Sequence, residues 1–363
     1  MKRPLVSVVM PSYNHGEFVG RAIESVLGQT YENFEFIIAD DGSTDNSAEV
    51  ISQYKDSRIR FIRFEKNTSF GACEYIYEQA QGKYIAGICS DDMWKETLLE
   101  KYVFFLENNE EYGCCFCKPE IVDANDAPIE DTIFNKVFTE QNLSRGQWFR
   151  KLYLTGNCLC APSMCLRREL YEKIGPLRFQ YRQIQDWEYW MRLLQVSNIY
   201  IYPETLCRYR VHSEGENHNI SSPTKESLVR GRIESKYVLL DIMEHTTPDF
   251  FMEAFQEDLI LEPTAEGFCI ECEKFRVMLK SAYADTAINY YFKHYNERKF
   301  RECVERFYNV PRSEFWNLTG IDFDYWYENI INMKKTEELM KQVCALKQQL
   351  SETQEELNEL RNK

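Results

Sequence analysis

Short apolar runs alternate with amphipathic stretches along the first hundred residues, a pattern typical of β-α-β units. Strands are predicted at residues 5–11, 34–40, 59–64 and 83–88. Residues 17–28, 44–55 and 70–81 carry apolar positions at helical spacing and are predicted helices. The short connections between them predict an α/β fold with a mostly parallel sheet, right-handed crossovers and flanking helices.

From about residue 110 to residue 222 the pattern is mixed. Strands are predicted at 161–167 and 199–209, and helices at 146–154, 168–174 and 187–196. These elements complete a first domain, residues 1–222. After Pro223 the chain becomes helical and aromatic with few glycines, which predicts a helical extension over 223–332 whose role the pattern does not indicate.

The last segment, residues 333–363, has a heptad pattern. Polar residues separate seven positions spaced alternately by four and three: Leu339, Val343, Leu346, Leu350, Thr353, Leu357 and Leu360. About three heptads is near the minimum for a stable coiled coil. The pattern favours a homo-oligomer assembled through this segment over a solvated terminal helix.

Composition narrows the class of protein. In a chain of 363 residues, 44% hydrophobic and 14% aromatic content exclude a disordered protein. The mean hydropathy of -0.50 and the lack of a long apolar run predict no transmembrane segment. Pro4 and Pro11 bracket only a strand-length apolar run, so no signal peptide is predicted. Thirteen irregularly spaced cysteines then favour reduced thiols and a cytoplasmic location, and the single Cys269-x-x-Cys272 pair is too little for structural zinc.

The net charge of -15 disfavours nucleic acid and anionic membranes as partners. One local basic cluster departs from this balance: Arg167, Arg168, Lys173, Arg178 and Arg182. A solvated surface is the favoured interpretation of this cluster, and a peripheral membrane contact is the alternative.

Polar residues follow three of the predicted strands. They are Pro11-Ser12-Tyr13-Asn14, Asp40-Asp41-Gly42-Ser43 and Ser90-Asp91-Asp92. In open α/β sheets ligands bind beyond the carboxyl ends of the strands, so we expect the functional site there.

The two acidic turns suggest different chemistry. In the first, Gly42 permits a tight turn, but two adjacent carboxylates exceed what capping of a helix requires and suit ribose hydroxyls or a nucleobase N–H. In the second, Asp91 and Asp92 suit a hard cation that also binds a diphosphate. Since the chain has no G-x-x-x-x-G-K-[ST] loop and no G-x-G-x-x-G after strand one, phosphate is expected to be held through this metal.

Five segments in order resemble the inverting family-2 glycosyltransferases of the GT-A fold, which is Rossmann-like: VSVVMPSYN, SVLGQTYENFEFIIADDGSTDNS, GKYIAGICSDD, QDWEYWMRL and YRVH. The resemblance covers roughly residues 4–215. It implies transfer of a sugar from a nucleotide diphosphate, most simply a UDP-sugar, to an acceptor hydroxyl in polysaccharide, glycoprotein or glycolipid synthesis. It also implies a cofactor, Mn²⁺ or Mg²⁺.

The resemblance assigns roles residue by residue. Asp186 is the implied general base, and an N-cap is its alternative role. Asp92 and His212 are the implied metal ligands. The implied nucleotide-sugar contacts are Pro11, Tyr13, Asn14, Asp40, Asp41, Asp91 and Arg210. Trp187 and Glu188 are candidate acceptor contacts, although Trp187 and Trp190 are at helical spacing beside apolar residues and suit a core equally well.

Two departures from the family pattern matter. Cys73-Glu74 stands where many relatives carry Arg-Asn, which makes uridine less secure as the nucleobase. Gln185 stands where an acidic residue is usual, but the neighbouring Asp186 remains. The alternative function is a non-catalytic scaffold that positions a partner enzyme through the coiled coil.

Overall fold

The computed structural model describes residues 4–130, 132–138, 141–212 and 224–319. The chain divides into two compact units, Met1–Tyr290 and Tyr291–Lys363. The predicted coiled coil over 333–363 and the last residues of the predicted helical extension lie outside the described residues. No helix in the described part of the chain is both long and apolar enough to span a bilayer.

The first unit contains a seven-stranded sheet in the order β3-β2-β1-β4-β8-β6-β9 and a three-stranded sheet in the order β5-β10-β7. The strands are β1 (Val6–Ser12), β2 (Phe34–Asp40), β3 (Ile59–Arg63), β4 (Tyr84–Gly87), β5 (Met93–Trp94), β6 (Tyr112–Cys117), β7 (Glu120–Val122), β8 (Cys165–Arg167), β9 (Asn198–Tyr202) and β10 (Cys207–Arg210). In the larger sheet β8 alone runs antiparallel to its neighbours. The predicted α/β fold with a mostly parallel sheet is confirmed.

Helices cover the sheet and continue beyond it. They are α1 (Val19–Leu27), α2 (Ser47–Gln53), α3 (Gly71–Glu78), α4 (Leu98–Asn108), α5 (Ile133–Val137), α6 (Arg145–Thr155), α7 (Arg168–Ile174), α8 (Gln185–Leu194), α9 (Lys225–His245), α10 (Pro248–Phe255), α11 (Ile270–Met278), α12 (Thr286–His294), α13 (Arg298–Arg306) and α14 (Arg312–Thr319). The described chain after residue 223 is therefore helical, as the composition predicts.

The core lies on both faces of the large sheet. Consecutive residues of β1 and β2 are buried, as expected for interior parallel strands covered by helices on both sides. The cysteines of β6 and β8 belong to this core, and burial raises the pKa of the Cys165 thiol to about 12. These cysteines pack in the core as free thiols, and the composition likewise disfavours disulfides.

Two predicted strands have a different form in the structure. Residues 161–167 form a 3-10 turn, Ala161–Ser163, followed by the short β8, because Pro162 lacks the N–H that a continuous strand needs. Residues 199–209 divide into β9 and β10, which pair in different sheets. Pro203 lies in the turn between them.

Helices α9 and α10 of the first unit pack against α8 and α6 of the sheet domain. Helix α10 contacts α6 so closely that a Cβ on Gly146 would lie 3.0 Å from the Glu253 carbonyl oxygen. Ion pairs join Arg145 to Glu253 and Arg150 to Asp258. The predicted boundary at residue 222 thus does not separate compact units. Within the second unit, the ring of Tyr291 stacks on that of Phe315.

Candidate functional site

The first acidic turn follows β2. The Asp41 carboxylate accepts hydrogen bonds from the Thr68 N–H at 2.8 Å and the Thr68 hydroxyl at 2.6 Å, which fastens the end of β2 to the loop before α3. Asp40 is fully buried and accepts from the Ser43 N–H at 3.1 Å. Its Oδ1 has no hydrogen-bond partner among the described residues, so a polar acceptor remains available inside the turn.

Gly42 is required by the geometry of this turn. Its φ of +70° lies in the left-handed region. A Cβ at this position would lie 2.4 Å from the carbonyl carbon of Lys66, which is a backbone atom and cannot rotate away. The glycine therefore allows the two acidic side chains and the 66–68 loop to approach each other.

The end of β1 meets the same turn. Asn14, at φ +53°, accepts a hydrogen bond from the Thr44 N–H at 2.8 Å, and its own N–H donates to the Ser43 hydroxyl at 2.9 Å. Tyr13 is 41% exposed beside it, and Pro11 lies within β1 opposite Ala39. The structure thus brings together the predicted residues at the ends of β1 and β2.

The second acidic turn follows β4 and joins two histidines. The Asp91 Oδ2 lies 2.8 Å from the His212 Nε2, and Asp91 Oδ1 lies 3.9 Å from the His15 Nδ1. The same His15 nitrogen lies 2.8 Å from the Ser90 hydroxyl. The two imidazole rings stack with centroids 6.0 Å apart. His15 was not a predicted site residue, although it directly follows the polar residues at the end of β1.

The adjacent carboxyl groups of this turn have opposite pKa shifts. Burial and the charge of Asp91 raise the pKa of Asp92 well above its usual range. For Asp91, burial acts in the same direction, but the neighbouring His15 and His212 hold its pKa below the usual range. A cation bound here would relieve the cost of two adjacent buried carboxylates.

The donor atoms of this turn fit a divalent cation. Ligand atoms of His15, Asp91 and His212 all lie within 4.8 Å of one another, and so do those of Cys89, Asp91 and Asp92. Carboxylate and imidazole donors suit Mn²⁺, and carboxylates suit Mg²⁺. Asp91, predicted as a nucleotide-sugar contact, belongs to both groups, whereas the predicted metal ligands Asp92 and His212 belong to different groups.

Arg210, a predicted nucleotide-sugar contact, is bonded to the protein on every side. All three guanidinium nitrogens donate to the protein: Nε to the Asp91 carbonyl at 2.8 Å, Nη1 to the Asp123 carbonyl and Nη2 to the Asp126 carboxylate. Its backbone N–H donates to the Asp92 Oδ1 at 2.8 Å. With only 1% of its surface exposed, Arg210 holds the second acidic turn in place.

Asp186 lies in the first turn of α8, apart from both acidic turns. Its Oδ2 accepts from the Asn157 Nδ2 at 2.8 Å, and its Oδ1 accepts from the Trp187 N–H at 2.7 Å. Burial outweighs these hydrogen bonds and raises the pKa of Asp186 to about 6. Because α8 begins at Gln185, Asp186 is not its N-cap.

Asn157 connects this carboxylate to the second acidic turn. Its Oδ1 accepts from the Leu159 N–H at 3.0 Å, which fixes the amide with its NH₂ towards Asp186. Three residues further on, Cys160 lies close enough to Asp92 to raise the pKa of that carboxyl group. Residues 157–160 thus link the partner of Asp186 to the surroundings of Asp92.

The side chains of the predicted acceptor contacts Trp187 and Glu188 lie in the core. Trp187 is 3% exposed, and its indole N–H donates to the Leu152 carbonyl at 3.1 Å. Glu188 is fully buried and pairs with Arg192 at 2.6 Å and with Arg178 at 3.3 Å. Trp190 is buried as well and packs edge-on against Phe116. These residues form the inner face of α8, so the core interpretation of the tryptophans holds.

Helix α9 fixes the segment that leads into α8. Both carboxylate oxygens of the buried Glu234 accept backbone N–H groups, from Arg182 at 2.9 Å and from Gln183 at 2.8 Å. Arg178 pairs with Asp241 of α9 at 2.8 Å. Of the predicted basic cluster, Arg178 is thus engaged by internal ion pairs, and Arg167 is buried against backbone carbonyls, whereas Lys173 and Arg182 are exposed.

Known proteins that resemble this chain in sequence are described as glycosyltransferases. The sequence model described as "Glycosyl transferase family 2" matches residues 7–175. An uncharacterized glycosyltransferase of Methanocaldococcus jannaschii is 34% identical over 222 residues, which cover 58% of this chain and 72% of that protein. A putative teichuronic acid biosynthesis glycosyltransferase of Bacillus subtilis is 40% identical over 117 residues, covering 31% and 45% of the two chains.

Solved structures agree in fold. The 1–349 fragment of S. aureus TarS in complex with UDP aligns with a TM-score of 0.53 at 14% identity and covers 84% of this chain and 92% of that one. The same fragment with UDP-GlcNAc aligns with a TM-score of 0.55 at 15% identity, covering 84% and 91%. At such identities the likeness shows a shared fold.

Proposed function

Since the chain belongs to glycosyl transferase family 2 and is a nucleotide-sugar glycosyltransferase, we propose that it transfers the sugar with inversion and uses Asp186 as the general base. The observation that carries this proposal is the raised pKa of Asp186, about 6, on a carboxylate oriented by Asn157. An acceptor hydroxyl is a poor nucleophile at neutral pH, and a base with a pKa near the operating pH removes its proton efficiently.

The donor is held at the two acidic turns. Asp41, with Asp40 behind it, binds the nucleoside of the donor, and the exposed ring of Tyr13 offers the nucleoside an apolar face. Asp91, which belongs to both donor groups, would hold Mn²⁺ or Mg²⁺ for the diphosphate, with His15 and His212 from one group or with Asp92 from the other. When bound, such a cation neutralises the negative charge that builds up on the leaving nucleoside diphosphate. The UDP and UDP-GlcNAc bound by the TarS fragment make UDP-sugars the first donors to test.

Arg210 supports this site from behind. Because its guanidinium and backbone N–H bind both residues of the second acidic turn, it holds Asp91 and Asp92 in place before any ligand arrives. The carboxylates therefore need little reorganisation when the metal and the diphosphate bind.

The remaining assignments extend this proposal. Residues 1–222 carry the donor and catalytic groups, residues 223–332 support them, and residues 333–363 mediate self-association. Buried reduced thiols such as Cys114, Cys115 and Cys165 favour the cytoplasm as the compartment. The non-catalytic scaffold is not favoured, because an ionisable base and a metal-ligand set serve no purpose in a chain that only positions a partner.

A test separates donor binding from catalysis. Calorimetry with UDP should show binding in Mn²⁺ that is lost with a chelator and lost in Asp92→Ala, which leaves the fold intact by circular dichroism. The matched control is Glu110→Ala, which removes an exposed carboxylate outside the metal-ligand groups. Equal UDP affinity with and without chelator would contradict the metal assignment. Failure of the wild type to hydrolyse or transfer from any of a panel of nucleotide sugars would contradict the enzymatic function.

A further inference from the structure

Cys89 lies at the start of the second acidic turn, two residues after the end of β4. The Asp92 N–H donates to the Cys89 carbonyl at 3.2 Å, which closes a four-residue turn and brings its first and last residues together. Ligand atoms of Cys89, Asp91 and Asp92 lie within 4.8 Å of one another. The turn therefore places a thiol beside its two carboxylates.

The spacing of these three ligand atoms suits one divalent cation. Metal–ligand distances of about 2.0–2.5 Å place the ligand atoms of one ion at most about 5 Å apart. Carboxylate oxygens suit Mg²⁺ and Mn²⁺ alike, whereas a thiolate suits softer transition ions and is a poor ligand for Mg²⁺. A sulfur ligand in this group would therefore affect which cation binds.

The second group of donor atoms, which we call the imidazole group, consists of His15, Asp91 and His212. The His212 Nε2 lies 2.8 Å from the Asp91 Oδ2, and the His15 Nδ1 lies 2.8 Å from the Ser90 hydroxyl. Each histidine thus already has one ring nitrogen engaged within the turn. The contact between His212 and Asp91 is of the kind that orients a metal-binding carboxylate from behind.

The carboxylates of the turn each keep one oxygen for a cation. The Arg210 N–H donates to the Asp92 Oδ1 at 2.8 Å, and no hydrogen bond reaches the Asp92 Oδ2 from the described residues. His212 contacts the Asp91 Oδ2, whereas the Asp91 Oδ1 is 3.9 Å from the His15 Nδ1, beyond hydrogen-bond distance. A cation bound by Cys89, Asp91 and Asp92 would leave these hydrogen bonds intact.

We propose that the Cys89 thiolate, together with Asp91 and Asp92, holds the divalent cation of the donor site, and that its sulfur makes the site favour softer transition ions over Mg²⁺. On binding, the Cys89 S–H bond breaks, a sulfur–metal bond forms and the proton passes to solvent. His212 positions Asp91 for this cation. The proposal rests on the proposed function, because it concerns the cation that binds the donor diphosphate.

Co²⁺ is the probe of the test, because a cobalt–thiolate bond gives a charge-transfer band in the near ultraviolet that imidazole and oxygen ligands do not give. Spectra of the full chain with UDP and Co²⁺ are recorded for the wild type and Cys89→Ser. Their affinities for Co²⁺ and for Mg²⁺ are measured by calorimetry. The matched control is Cys73→Ser, which removes a partly buried free thiol outside both metal-ligand groups. Hydrolysis of a UDP-sugar is followed in parallel.

The wild type should show the thiolate band when Co²⁺ binds. Cys89→Ser should lose the band and bind Co²⁺ about tenfold more weakly, with its Mg²⁺ affinity within about twofold of the wild type, because only the softer ion gains from sulfur. Cys73→Ser should keep both the band and the Co²⁺ affinity.

Bound Co²⁺ without the band in the wild type would overturn the proposal in favour of the imidazole group. Failure of Co²⁺ to bind, or a band that Cys89→Ser leaves unchanged, would overturn it as well. Because the band is read without catalysis, the two failures are distinguishable. A Cys89-dependent band in a protein that hydrolyses no nucleotide sugar would contradict the catalytic function alone. Metal-dependent hydrolysis without the band would contradict the role of Cys89 alone.

Discussion

The rate of sugar transfer should follow the ionisation of Asp186, whose pKa is raised from 3.8 to about 6. A general base acts only when ionised, so kcat/KM is expected to rise tenfold per pH unit below pH 6 and to level off above it. For an ordinary exposed aspartate, this rising limb of the pH–rate profile would lie near pH 4. The position of the limb therefore reports the burial of this particular carboxyl group.

Asn157→Leu moves the limb by a predictable amount. The substitution keeps the size of the side chain but removes the N–H that donates to the ionised carboxylate. A hydrogen bond to a charged group contributes about 1.5–3 kcal/mol, and one pKa unit corresponds to about 1.4 kcal/mol, so the pKa of Asp186 should rise by about one to two units. At pH 6 the rate should fall roughly five- to fiftyfold, whereas at pH 9 it should stay close to that of the wild type.

Asp186→Asn separates the catalytic role from the structural one. It should lower transfer by at least about a hundredfold at every pH and abolish the limb. It should also stabilise the fold at pH 8. A carboxyl group with a raised folded-state pKa destabilises the folded state above that pKa and has no such effect below the unfolded value of 3.8. The gain is at most about 3 kcal/mol at pH 8 and about half of that at pH 5, measured by urea unfolding.

The assay is release of the nucleoside diphosphate with saturating metal between pH 5 and pH 9, with donor affinity measured at each pH as a control. A limb near pH 4, an unshifted limb in Asn157→Leu, or near-normal turnover in Asp186→Asn would refute the assignment. Unchanged turnover would transfer the role of base to another carboxylate.

Three further changes test the parts that support the site. Glu234→Ala leaves the Arg182 and Gln183 N–H groups without their acceptor, so kcat should fall while the UDP affinity measured by calorimetry stays unchanged. Glu226→Ala, at an exposed position of the same helix, should change neither kcat nor UDP affinity. Gly42→Ala should lower the free energy of unfolding in urea by about 1–3 kcal/mol and weaken UDP binding. Gly175→Ala, at a glycine that also has a positive φ but no neighbouring atom within 4 Å, should lower it less. Equal losses of stability would contradict the steric argument. Ending the chain before Lys334 should lower the mass seen by light scattering with specific activity largely intact, and an unchanged mass would count against a coiled coil in residues 333–363.

The fold could be predicted where structure is decided locally. The strand at residues 34–40 and the helix at 168–174 have the predicted bounds, because apolar alternation and helical spacing are contained within each segment. The short strands β5 and β7 have no such pattern, since two or three residues become a strand only by pairing with β10, which lies more than 80 residues further along the chain. Pairing over that distance depends on the whole fold.

The acidic turns could be predicted for the same local reason, whereas the surroundings of Glu188 and Arg210 depend on partners that are distant in the sequence. Glu188 has an i+4 partner, Arg192, that the sequence displays, but its second partner, Arg178, is brought by a loop. Likewise, nothing in the pattern around Arg210 predicts that Asp123 and Asp126 take up its guanidinium. His15 has one local signal, its position just past the end of β1, and its meeting with His212 requires the completed sheet.

Helix α9 supports the segment that leads into α8 and Asp186. Among the described residues, the Asp186 carboxylate accepts from Asn157 and from its own turn of helix, and the segment that leads into α8 contains no regular structure between Ile174 and Gln185. Glu234 supplies acceptors for two backbone N–H groups of that segment, and Asp241 binds Arg178 at its other end. Because a base displaced by about 1 Å loses much of its effect, the precision of Asp186 depends on α9. Helix α9, the first described helix within residues 223–332, thus holds the segment that leads to the proposed base, Asp186.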